Sequence, residues 1–361
     1  MSLSFPVTAN PSPVSQARFD EIMANPGFGD YFTDHMAVAT WTNEAGWSDA
    51  RIQPYGPFQL DPATAVLHYA QEIFEGLKAY RHADDSIWLF RPQANAARLN
   101  ASAKRMMLPA IDEADFLTAI TELVKADLRW VPAGGGEQSL YLRPFMFASE
   151  AFLGVRAAQR VTFSVIASPA GSYFASGVAP VDIWVTDVWA RAGIGGTGAA
   201  KCGGNYAASL IAQYEGYEHG CSQVLFIEAA GKDRIEELGG MNVFLVTGDG
   251  RLITPELTGT ILDGVTRGSI LAVAEDLGLR AESRRISPSE FFGLIADGTA
   301  TEAFSCGTAA VLTPIGSFKT ATDTYQLAEP AGERTLAIRN RLLDIQYGRV
   351  PDRHSWLRQV V

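Results

Sequence analysis

The sequence predicts a mixed α/β protein of two domains, and three observations predict it. The chain has 361 residues, more than one hydrophobic core usually organises. Hydrophobic residues make up 47% and charged residues 19%, enough apolar side chain for a large core. Helical and strand-like patterns alternate through both halves of the chain.

The elements follow in order. Residues 1–30 are rich in turn formers and read as a surface arm. Pro92 to Met106 reads as a helix, with Pro92 near its start and Pro109 just past its end. Asp115 to Leu128 places Phe116, Ile120, Leu123, Val124 and Leu128 on one helical face. Leu140 to Phe147 and Val161 to Ala167 read as buried strands, and residues 132–137 as a loop before them. Small residues and turn formers over 168–177 mark a linker. Beyond it, Val181 to Val188, Val224 to Glu228 and Val243 to Val246 read as strands. Ala207 to Glu218 and Thr266 to Leu277 read as helices that stop at Gly220 and Gly278.

Composition narrows the function. The 29 basic and 40 acidic residues give a net charge of −11, which disfavours a generic nucleic-acid binder. No apolar run reaches the roughly 20 residues of a membrane helix. The first residues carry no Lys or Arg before Arg18 and no long apolar stretch, so no signal or transit peptide is expected and the cytoplasm is the default. Three cysteines and five histidines are scattered without metal-ligand spacing, so no metal is expected.

Residues 193–206, GIGGTGAAKCGGNY, are the most unusual stretch. Gly193, Gly195 and Gly198 match GxGxxG. A dinucleotide loop needs a long helix immediately after it, which Gly203 and Gly204 would break. No Gly-Lys-Ser/Thr follows, so a phosphate loop fails too. What remains is Lys201 between glycines. It is either a Schiff-base lysine, held against a carbonyl and partly deprotonated, or an incidental lysine on a surface loop. Three other segments fit the parts of a pyridoxal 5'-phosphate site. Glu236 and Glu237 offer a carboxylate for a pyridine nitrogen, although such a pair is more often a solvated turn. Val265 and Thr266 begin a helix whose amides can meet a phosphate, or that is merely capped. Thr308 follows Gly307 in a second such turn, and Arg98 offers a cation.

Together these segments resemble the branched-chain amino acid aminotransferases, pyridoxal phosphate enzymes of fold type IV. The resemblance covers nearly the whole chain. It is carried by YFTDHM (31–36), LHYAQEIFEGLK (67–78), YLRP (141–144), GGTGAAKCGGNY (195–206), ELGGMN (237–242), GVTR (264–267) and SCGTAA (305–310). It implies Lys201 as the Schiff-base lysine and proton carrier, Glu237 as partner of the ring nitrogen, and Tyr206 near the 3′ oxygen. Arg98, with Gly264, Val265, Thr266 and Thr308, would hold the phosphate, and Leu262 would pack on the ring. Tyr141, Thr308 and Ala309 would receive the α-carboxylate, and Arg143 the distal carboxylate of glutamate. Phe28, Tyr31, Phe74 and Tyr173, with Tyr69 and Trp130 more remotely, would form the apolar side-chain pocket.

The resemblance also implies an architecture and a reaction. A smaller domain (1–173), a linker (174–180) and a larger domain (181–361) would have the cofactor between them, in a homodimer. The reaction would be reversible ping-pong transamination of L-leucine, L-isoleucine and L-valine with 2-oxoglutarate, giving branched-chain 2-oxo acids and L-glutamate. A D-amino acid aminotransferase or an aminodeoxychorismate lyase of the same fold type is the nearest alternative; a non-catalytic amino-acid-binding protein is the alternative of another class. Where some members carry a redox CxxC, this chain has Ala310 and Thr313. Cys202 and Cys306 read as buried, inert thiols.

Overall fold

The computed structural model describes residues 2–133, 137–171 and 178–361. Its contacts gather into two units. One comprises Met1–Ala175, Ala200–Gly203 and Ile345–Val361; the other comprises Ser176–Ala199 and Gly204–Asp344.

The first unit opens with α1 (Gln16–Ala24), which Ser15 caps by accepting from Arg18 N. The expected surface arm is therefore partly folded: Phe5 and Ile22 are buried, because both are large apolar residues beside a core they can join. There follow β1 (His35–Thr42), β2 (Gly46–Pro54), α2 (Ala65–Tyr69), β3 (Glu72–Phe74), β4 (Leu77–Arg81) and β5 (Ile87–Phe90). Helices α3 (Pro92–Arg105) and α4 (Glu113–Ala126) match the expected pair closely. Asp112 caps α4 by accepting from Ala114 N. Phe116, Ile120, Leu123 and Val124 lie in the core, as their spacing requires. Strands β6 (Ser139–Ala148) and β7 (Arg160–Ala170) are the longest antiparallel pair of the first sheet.

The second unit runs β8 (Val181–Thr186), α5 (Gly203–Glu218), β9 (Gln223–Ile227), β10 (Ile235–Leu238), β11 (Asn242–Thr247), β12 (Arg251–Pro255) and α6 (Val265–Asp276). It continues with β13 (Arg280–Arg284), α7 (Pro288–Ala296), β14 (Ala300–Gly307), β15 (Val311–Lys319), β16 (Thr324–Gln326) and α8 (Glu333–Gln346). Its nine-stranded sheet has the order β10-β9-β8-β15-β14-β11-β12-β13, with β16 on β15. Parallel pairs β8/β9, β8/β15 and β12/β13 sit among antiparallel ones, so the sheet is mixed.

The chain then ends in β17 (Leu357–Gln359), which pairs with β5 in the first unit. This gives the first sheet the order β17-β5-β4-β6-β7-β1-β2, with β3 on β6. The expected domains were continuous halves. The contacts instead interleave the chain, for two reasons. Ala200 and Cys202 enter the first unit's core, and β17 completes its sheet. Of the expected linker 174–180, only 178–180 falls within the described residues, and these have no regular structure.

Candidate active site

In the first unit, β3 and α3 hold the lysine. Phe74 N donates to Lys201 O over 2.9 Å, and Lys201 N donates to Ser102 Oγ over 2.9 Å. Gly203 N donates to the Glu72 carboxylate. These bonds fix the backbone on both sides of Lys201, whose Nζ lies 4.7 Å from the centre of the Phe74 ring. Burial pushes the Lys201 amine down to about 8; the Arg98 cation acts in the same sense, Glu75 and Tyr141 oppose, and Arg143 adds to the lowering. An incidental surface lysine would have neither this confinement nor this shift.

Arg98 meets Glu75 in a two-pronged ion pair, Nε to Oε1 at 2.7 Å and Nη2 to Oε2 at 2.8 Å. Beside it, Arg143 Nη2 donates to Tyr141 Oη over 3.0 Å. The Arg143 guanidinium lies 4.8 Å from the Phe74 ring centre, and Phe28 meets Tyr141 edge-on at 5.0 Å. Phe28, Phe32, Tyr141 and Arg143 line a cavity of about 190 Å³, with residues 166–168 as its floor. Gly76 is obligatory here, since a Cβ would strike the Tyr141 hydroxyl.

Three pocket residues fall elsewhere. Tyr31 packs on the core with the Arg18 guanidinium 5.2 Å from its ring centre, and its neighbour Phe32 takes the cavity wall. Tyr69 is 38% exposed and donates to Leu153 O. Trp130 is fully buried, donating from Nε1 to Asp34 Oδ2 over 2.7 Å; its ring fills the core rather than a pocket. Tyr173 lies outside the described residues.

In the second unit, β10 and β11 bring Glu237 and Asn242 together. Glu237 Oε1 accepts from Leu262 N at 2.7 Å and pairs with Arg191 Nη1 at 3.1 Å. Its Oε2 accepts from Asn242 Nδ2 at 3.2 Å, and Asn242 also donates to Leu262 O. Several donors and a cation thus converge on one buried carboxylate. Glu236 differs: burial pushes its carboxyl up, and its Oε1 has no partner among the described residues.

Gly264 caps α6, and a Cβ there would collide with Asn242 Oδ1. The start of α6, with Val265 and Thr266, is therefore held against the Glu237 network. Thr266 lies inside the helix rather than at its cap. The turn 239–241 links the remaining residues: a Cβ on Gly240 would touch the Tyr206 ring at 3.4 Å, and one on Gly307 would touch Met241 at 3.5 Å. Thr308 and Ala309 follow Gly307 in the turn between β14 and β15. All three cysteines are buried. Sequence reasoning assigned no role to Glu75, Asn95, Arg191 or Asn242. Glu75 and Asn242 stood inside motifs quoted for the resemblance; the partner of Glu75 is 23 residues away, whereas Asn242 meets Glu237 of its own motif.

Among the described residues, no group of three or more His, Cys, Asp or Glu could hold a metal ion. No helix among them is long and apolar enough to cross a membrane.

The amino-transferase class IV family profile matches residues 72–318, and the chain belongs to that family. Its architecture is that of fold type IV. Among its relatives is a branched-chain-amino-acid aminotransferase of Mycolicibacterium smegmatis, 50% identical over 98% of both chains. A probable branched-chain-amino-acid aminotransferase of Streptomyces coelicolor is 53% identical, over 96% of this chain and 95% of that one. The branched-chain amino acid aminotransferase of Thermobaculum terrenum, solved in its PLP form, is 25% identical with a TM-score of 0.73, over 90% of this chain and 98% of that one.

Proposed function

We infer that this chain transfers the amino group of L-leucine, L-isoleucine and L-valine to 2-oxoglutarate, reversibly, with pyridoxal phosphate as cofactor. The observation that carries this reading is half-identity, across the whole chain, with a relative named for that activity. The same relatives favour it over a D-amino acid aminotransferase or an aminodeoxychorismate lyase.

The residues fit the cofactor. Lys201 is a confined amine lowered to about 8, Arg98 a braced cation, Glu237 a many-donor carboxylate, and Val265 and Thr266 open a helix of 12 residues. Bound pyridoxal phosphate supplies an aldehyde carbon and an electron-accepting ring.

The chain's residues supply the rest. The Lys201 amine is the group that would hold the cofactor's aldehyde carbon, and it would carry the proton of the substrate α-carbon. Glu237, which meets Arg191, Asn242 Nδ2 and Leu262 N, would face the ring nitrogen and favour its protonated form. Tyr206 orients the 3′ oxygen, and Leu262 packs on the ring. Arg98, the α6 amides after Gly264, and Thr308 take the phosphate. Tyr141 and the amides of Thr308 and Ala309 take the α-carboxylate. Phe28, Phe32 and Phe74 receive an apolar side chain, and Arg143 at the edge receives the distal carboxylate of glutamate. One site thus accepts both substrate types. We place the enzyme in the cytoplasm and take it as a homodimer; exposed apolar residues such as Leu210 and Tyr214 support the second of these.

The test is the visible spectrum of the purified protein before and after L-leucine is added without an oxo acid. A yellow protein that L-leucine bleaches is the expected result. Bleaching by D-alanine alone, or a protein that takes up no pyridoxal phosphate, overturns the reading.

A further inference from the structure

We propose that Glu75 is a positioning residue for the phosphate end of the site: its buried carboxylate, gripping Arg98 and Asn95, fixes the plane in which the Arg98 guanidinium meets a phosphate monoester dianion. The proposal rests on the cofactor reading above.

Glu75 is fully buried. A buried carboxylate is costly unless it is paired and hydrogen-bonded, and the contacts of the Glu75 carboxylate answer that need. Arg98 engages both oxygens in parallel. Asn95 Nδ2 adds a bond of 2.8 Å to Oε2, and Gly76 N adds one of 3.3 Å to the same oxygen. Asn95 and Arg98 stand three apart on α3, so they present to the carboxylate from one helical face. The backbone of Glu75 is itself pinned, its N donating to Pro144 O over 2.7 Å. A planar fork held by two parallel bonds cannot swivel. A lysine at position 98, or a neutral partner at 75, would leave that orientation loose.

A core ion pair with no link to the chemistry would look similar except in one respect. Lys201 feels both members of this pair: Arg98 pushes its amine down and Glu75 pushes it back up. Glu75 therefore does two things at once. It braces the phosphate cation, and it offsets the field that Arg98 and Arg143 impose on the reacting amine.

The two effects have separate readouts. Cofactor-free wild type and Glu75→Gln are titrated with pyridoxal phosphate and with pyridoxal, which lacks the phosphate. The Lys201 pKa is read from the pH dependence of its reductive methylation. Glu75→Gln should weaken pyridoxal phosphate binding by about 10-fold or more and leave pyridoxal within about 2-fold, and Lys201 should titrate below its wild-type value. Equal weakening of both aldehydes, or an unmoved Lys201 titration, overturns the proposal.

Should Glu75→Gln fail to fold, Glu75→Gln with Arg98→Gln removes both charges together. Its affinity for pyridoxal phosphate should be no lower than that of Arg98→Gln alone, because Glu75 acts through Arg98; a further loss overturns the proposal. If wild type binds neither aldehyde, the cofactor reading fails with it. If wild type binds pyridoxal phosphate and Glu75→Gln binds it as tightly as wild type does, the proposal alone fails.

Discussion

The residues with the clearest chemistry are those that glycine-flanked motifs placed on view, and those whose partners are far away in sequence stayed hidden. Lys201 stood out between its glycines, although they left an incidental surface lysine equally open until the other motifs were read with it. Arg191 and Glu75 did not stand out, because their ion partners lie 46 and 23 residues away in the chain, and no local pattern records such a pairing. The Lys201 shift makes a prediction of its own. Its amine falls from an ordinary 10.5 to about 8 in the folded protein. Below pH 8 both the folded and unfolded chains carry the charge, and folding bears the full burial cost. Between 8 and 10.5 the unfolded chain binds more protons than the folded one, so wild-type stability rises with pH. Cofactor-free Lys201→Met should therefore be more stable than wild type at pH 7, by on the order of 2 kcal/mol. The gap should shrink from pH 8 to 10.5 in denaturant titrations. A gap that does not change with pH contradicts the assignment, and the same variant should lose multiple turnover altogether.

At the level of elements, regular segments were legible and glycines were misread. The helices near 92–106 and 115–128 follow from Pro92 and from apolar spacing, and the structure has them within a few residues. Gly203 and Gly204 were read as helix breakers, yet α5 starts at Gly203. Helix-interior penalties do not apply at a first turn. The GxGxxG pattern has a packing reason instead. A Cβ on Gly198 would sit 2.6 Å from Thr260 Cα, and Ala199 N donates to Gly259 O over 3.0 Å. Thr260 O also accepts from Arg191, the partner of Glu237. Gly198→Ala should therefore cost about 2 kcal/mol or more, as a backbone clash that no rotamer relieves. It should also weaken ring binding by shifting Thr260 and Arg191. Urea unfolding and pyridoxal affinity measure the two effects, and a wild-type midpoint would remove this role from Gly198.

The molecule as a whole was the least legible, because strand order and chain return depend on pairings that no single segment reveals. Nothing in the sequence around Leu357 announces that β17 pairs with β5. The surface is where the whole molecule makes a further prediction. On helix α5, Leu210, Ile211, Tyr214 and Tyr217 are exposed. Leu210, Tyr214 and Tyr217 stand at i, i+4 and i+7, which is one helical face. In the first unit, Leu67, Met107, Leu153 and Val155 are exposed as well, Val155 at 89%. Scattered apolar residues on a monomer need no explanation, but a whole helical face does. A second copy of the chain, covering that face in a closed two-fold pair, would remove the cost of leaving it in water. Leu210→Asp with Tyr214→Asp should then sediment as a monomer where wild type sediments as a dimer, because each copy would bury two charges without partners. A wild type that is monomeric at micromolar concentration, or a variant that stays dimeric, would exclude α5 as the interface.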